Sequence, residues 1–118
     1  MVEAKLYSHL KASTELAELV ADRIYPITAP ENCETPYVTY QNINYTDETS
    51  VQGDIHSEKA LFQIDVFSKS YSEVKEVKGA VKDAMYQFEY FPHYFNARDL
   101  YEKDTQLHRQ LIEFNILI

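Results

Sequence analysis

The stretch Ala60-Leu61-Phe62-Gln63-Ile64-Asp65-Val66-Phe67-Ser68, with the segment from Ser70 to Phe88 that follows it, decides the fold. The first piece alternates with a period of two. Phe62, Ile64 and Val66 face one way, and Leu61, Gln63, Asp65 and Phe67 face the other, as on a strand. The second piece changes period. Val74, Val77, Val81, Met85 and Phe88 recur at spacings of three and four, with Lys75, Glu76, Lys78, Lys82 and Asp83 on the polar side. That pattern predicts an amphipathic helix lying on a sheet. Ser70-Tyr71-Ser72-Glu73 predicts its start as a capping box, Ser70 accepting from the backbone and Glu73 reaching back. Gly79 inside the helix costs about 1 kcal/mol against Ala. It reads either as simple tolerance or as a close helix-to-strand approach.

Upstream, Tyr37 to Tyr45 is rich in Tyr, Val, Thr and Ile and predicts a second strand. Val38 and Tyr40 share one face, and Tyr37, Thr39, Gln41 and Ile43 the other. Between the two strands, Thr46 to Glu58 is polar with isolated apolar residues. It predicts a mobile loop projecting from a long antiparallel hairpin. Val2, Leu6 and Leu10 mark one helical face, and Leu16, Leu19 and Val20 another. Ser13-Thr14-Glu15 interrupts them with N-cap chemistry, so one broken helix or two short ones fit. Pro26, Pro30 and Pro36 make Ile24 to Thr35 an irregular, extended connector. Glu89 to Asn96 is an aromatic turn with room for a short strand, and Asp99 to Gln106 is polar. Leu107 to Ile118 predicts a final strand with Ile112, Phe114, Ile116 and Ile118 on one face. The whole is one α+β domain over residues 1–118: an antiparallel sheet with helices on one face, in the order α-β-β-α-β.

Composition narrows function. The net charge is −8, with 19 acidic against 11 basic side chains and no basic run. That argues against sequence-specific nucleic-acid binding, which needs clustered Lys and Arg. Cys33 is the only cysteine, so no disulfide forms within the chain. No apolar run approaches the roughly 20 residues of a membrane span. Met1-Val2-Glu3-Ala4-Lys5 lacks the marks of a signal peptide, so the expected location is cytosolic. His9, His56, His93 and His108 have no metal-ligand spacing, and Gly53 and Gly79 cannot make a phosphate loop. No catalytic, cofactor or metal site is expected. Asp65 has no acidic or His partner at a useful spacing and reads as an interface or hydrogen-bonding residue.

The ordered pieces Arg23-Ile24-Tyr25-Pro26, Ala29-Pro30, Pro36-Tyr37-Val38-Thr39-Tyr40-Gln41 and Phe62-Gln63-Ile64-Asp65-Val66-Phe67-Ser68, then the Ser70 to Phe88 helix and a terminal strand, resemble the tail-completion (tail-terminator) family of long-tailed bacteriophages. The resemblance covers nearly the whole chain. It departs at Glu31-Asn32-Cys33-Glu34-Thr35, where small residues and Gly are commoner, and at Phe67, where Trp is frequent. It implies a structural protein, not an enzyme. The implied assembly is a hexameric ring at the head-proximal end of the tail tube, which ends tube growth and joins tail to head. The implied partners are copies of itself, the major tail tube protein and a head-completion or stopper protein. The implied locations are the host cytoplasm during assembly and then the virion. Within that expectation, Tyr37, Ile43, Leu61, Asp65 and Phe67 on the second sheet face are candidate subunit-interface residues. Asp47, Glu48, Val51, Asp54 and Ile55 form a candidate assembly loop. The competing expectation is a small non-catalytic cytosolic binding or regulatory domain, monomeric or dimeric.

Overall fold

The computed structural model describes residues 2–49, 55–90 and 92–117. Its elements are α1 (Val2–Ala12), α2 (Thr14–Val20), β1 (Ile24–Pro26), β2 (Tyr37–Thr49), β3 (Ile55–Ser68), α3 (Tyr71–Tyr86), β4 (Pro92–Glu102) and β5 (Leu107–Leu117). The strands form one sheet in the order β1-β2-β3-β5-β4. The α+β class and the packing of helices on one face hold. β1 is an addition to the expected order, β4 extends the short strand allowed within Glu89 to Asn96 as far as Glu102, and the sheet is mixed, because β1 runs parallel to β2. β1 is only three residues long and ends at Pro26, which an edge strand tolerates. β4 is an eleven-residue edge strand in a hairpin with β5.

The helices start where their caps dictate. Ser13 caps α2 by accepting from the Leu16 amide at 3.2 Å, so the N-terminal region is two helices. α2 stops at Ala21, whose positive φ of 55° no longer fits a right-handed helix. Ser70 caps α3 by accepting from the Glu73 amide at 3.3 Å. The reciprocal half of the capping box differs from expectation. Ser68 inserts its hydroxyl between the two partners, accepting from the Ser70 amide and donating to the Glu73 carboxylate. Ser68 is fully buried at the end of β3, and its hydroxyl takes the Ser70 amide at 3.1 Å in place of Glu73.

The core lies between the helices and one sheet face. Phe62, Ile64 and Val66 of β3 and Ile112, Phe114 and Ile116 of β5 are fully buried beneath Val74, Val77, Val81 and Met85 of α3. Phe62 and Phe114 are direct cross-strand partners with ring centroids 6.0 Å apart. Leu6, Leu10, Leu16 and Val20 extend the same core under α1 and α2. Each such side chain stabilises the fold by about 1.5–3 kcal/mol relative to exposure. Gly79 is not a close-approach glycine: a Cβ there would meet nothing within 4 Å.

Two variants test this packing. Gly79→Ala should raise stability by about 0.5–1 kcal/mol, because the helix gains propensity and the space is open. Val81→Asp should abolish cooperative folding by burying an unpaired carboxylate. Chemical denaturation reads both; a melt of Val81→Asp identical to that of the parent chain contradicts the packing.

Candidate assembly surface

The second sheet face is organised around Asp65. β2 and β3 place Tyr37 opposite Phe67 and Thr39 opposite Asp65. The Tyr37 and Phe67 rings stack at 4.8 Å. Asp65 is only 3% exposed, yet it is well partnered. Arg109 of β5 donates to it through Nε at 3.1 Å, and Gln63 through Nε2 at 2.7 Å. The Arg109 guanidinium also lies over the Phe67 ring and reaches Glu102 at 3.5 Å. Burial pushes the Tyr37 hydroxyl up, and the Glu102 carboxylate nearby adds to that shift. Both oxygens of Asp65 are thus occupied by donors, so it acts as a brace between β3 and β5 rather than as a base. The residue that sequence reasoning missed is Arg109. It lies 44 positions from Asp65, and only the β3–β5 register brings the two together.

The five candidate interface residues fall into two groups. Tyr37, Asp65 and Phe67 form the cluster just described. Ile43 and Leu61 lie farther along the hairpin, at a β-bulge between Asn42 and Asn44. The bulge breaks the strict alternation read from the sequence, because it puts Asn44 rather than Ile43 directly across from Leu61. Ile43 is left 45% exposed.

The expected loop from Thr46 to Glu58 is mostly ladder. Thr46 pairs with Lys59, Asp47 with Glu58, Glu48 with Ser57 and Thr49 with Ile55. Val51 and Asp54 lie outside the described residues. The polar composition misled because ladder hydrogen bonds use backbone groups and need no apolar face. β5 ends opposite Lys59, so residues 47–49 and 55–58 run past it as a two-stranded ribbon. The molecule is accordingly long, 52 Å against 29 and 22 Å.

At the other edge, β4 is tied to the start of α3. Asp99 accepts from Tyr71 Oη at 2.8 Å and from Lys75 Nζ. Lys75 first, then Tyr71, hold the Asp99 carboxyl below its usual range, and Asp99 in turn raises the Lys75 ammonium. Tyr71 and Tyr101 flank His108 at 5.5 and 4.9 Å. Elsewhere, Ile27 is 71% exposed at a φ of 67°, an outlier for a β-branched residue, with its amide donated to the Tyr40 carbonyl. Among the described residues no cluster of three or more His, Cys, Asp or Glu could hold a metal, and no helix is long and apolar enough to cross a membrane.

The tail completion protein gp17 family matches residues 4–118. The chain belongs to that family. Membership gives it a structural role in phage tail completion. Among solved structures, it is similar to a chain described as "Virion of native gene transfer agent (GTA) particle". The two share 20% identity and a TM-score of 0.80 over 98% of this chain and 92% of the other, a likeness of fold. No curated protein matches.

The Asp99 contacts carry a pH signature. A carboxylate held below its unfolded value contributes stability above the ordinary carboxylate range, lost as pH falls through its folded value. Asp99→Asn should therefore melt below the parent chain at neutral pH and converge with it in strong acid. An equal melting difference at every pH would contradict the assignment.

Proposed function

We propose that this chain forms a ring at the head-proximal end of a tail tube, where it ends tube growth and presents the surface that joins the tail to the filled head. The family match across residues 4–118 carries this reading. Physical features support it. The β2–β3 ribbon is a projecting element of the kind that reaches a neighbouring subunit. β4 is an edge strand with Leu100 and Tyr101 exposed, 40% and 52%. Ile43, at the bulge, offers apolar area on the second face. A net charge of −8 suits a lumen through which DNA slides, because it offers few contacts to phosphates.

The partners in this reading are further copies of the chain, the major tail tube protein on one side and a head-completion or stopper protein on the other. Assembly takes place in the host cytoplasm and the product stays in the virion. Because isolated subunits repel through like charge, a monomer in dilute solution is compatible with a ring on the tail, where the tube supplies a template.

Deleting the gene from the parent phage or prophage tests the proposal. The expected outcome is tails of uncontrolled length, or finished tails that fail to join filled heads, seen by negative-stain microscopy. Normal infectious virions from the deletion strain would overturn it and favour the small binding domain instead.

A further inference from the structure

α3 is split by charge along its length. Lys75, Lys78 and Lys82, spaced three and four apart, lie on one flank with Tyr71. This is the flank that faces β4, since Tyr71 and Lys75 both bond to Asp99 and Lys78 adds to the positive field there. Glu76 and Asp83, seven apart, lie on the opposite flank and are exposed. That side is continued by α2, whose Glu15 lines the same recess as Asp83 and whose Glu18 is also exposed. The surface of α2 and the adjoining flank of α3 are therefore acidic, with Lys5 and Lys11 of α1 beyond them, and the other flank of α3 carries lysines above an open sheet edge.

β4 is the element at that edge. Among the described residues it is paired on one side only, by β5. Arg98, Asp99, Leu100 and Tyr101 are consecutive and exposed. Side chains alternate along β4, so Asp99 and Tyr101 lie on the α3 side, while Leu100 and Arg98, the latter paired with Glu113, lie on the other; a partner at the lysine flank therefore meets Tyr101.

We propose that the β4 edge and the lysine flank of α3 receive the acidic α2–α3 flank of a second copy, so that subunits join head to tail. The occupant is a second copy because the chain carries both halves of the complementary pair on opposite sides of one helix. A contact between unlike patches is heterologous and propagates in one rotational sense, which is the geometry that closes rings. The proposal rests on the ring reading and specifies which surfaces meet in it.

Charge reversal on each side separately gives the test. Lys78→Glu/Lys82→Glu turns the lysine flank acidic, and Glu15→Lys/Glu18→Lys turns the α2 surface of the acidic flank basic. All four positions lie on the outer surface of their helices, and circular dichroism melts check that both variants stay folded. Sedimentation at low salt, over rising chain concentration, then compares each variant alone with an equimolar mixture. The expected result is that self-association of each variant is weaker than that of the parent chain by about tenfold or more. The mixture should associate, because acidic and basic flanks then alternate. The Glu15→Lys/Glu18→Lys variant is the sharper arm. It moves the net charge of −8 toward zero, so relief of general repulsion predicts stronger association where this contact predicts weaker. A mixture that sediments no faster than the separate variants, or a basic variant that associates better than the parent chain, overturns the proposal. Either result would leave the gene-deletion outcome untouched, so the failure of this contact is distinguishable from failure of the tail-completion reading.

Discussion

β3 is hydrogen-bonded along both edges, to β2 and to β5, and both of its faces are committed. One face places Phe62, Ile64 and Val66 under α3, and the other places Asp65 and Phe67 with Arg109. A slip of one residue would drive Asp65 into the apolar core and lift three large apolar side chains out of it. The register of the sheet is therefore held by an aversion as well as an attraction. The two-residue link Lys69-Ser70, closed by the buried Ser68 hydroxyl, then leaves α3 little freedom in where it lands.

This rigid centre explains how a small chain can serve an assembly. Among the described residues, several exposed surfaces lie at the margins: the ribbon beyond β5, the open β4 edge, the exposed connector at Ile27, and the charged flanks of the helical layer. The margins do not share in the core, so they can present side chains to neighbours without loosening the fold. The proposed ring needs this division, because its subunits carry like net charge. In that ring, local complementarity would overcome the repulsion at short range, while salt screens the rest beyond about 8–10 Å.

The parts of the fold legible in the sequence are those where periodicity and local chemistry agree. β3 and α3 were readable because their apolar residues repeat cleanly at two and at three-to-four, and because Ser70 announces the helix. The break at Ser13 was readable for the same reason. β1 was hidden because three residues beside Pro26 carry no period, and its place comes from pairing with β2. Only the start of β4 was legible, because Asn96, Arg98, Asp99 and Glu102 interrupt its apolar residues farther on, as an edge strand allows. The ladder at residues 46–49 and 55–58 was hidden because its sequence is almost entirely polar and carries no apolar alternation. At the second face, Asp65 stood out as a carboxylate in a strand, but its partner Arg109 did not. No local signal links positions so far apart; only the strand register does.

The proposed place of this chain is at the junction of the tail with the head. Electron cryo-microscopy of the intact parent virion, with the chain identified by its own side-chain density, addresses it most directly. The account predicts the chain in a single ring layer at the head-proximal end of the tail. Finding it absent from the particle, or repeated along the whole length of the tube, would contradict the account.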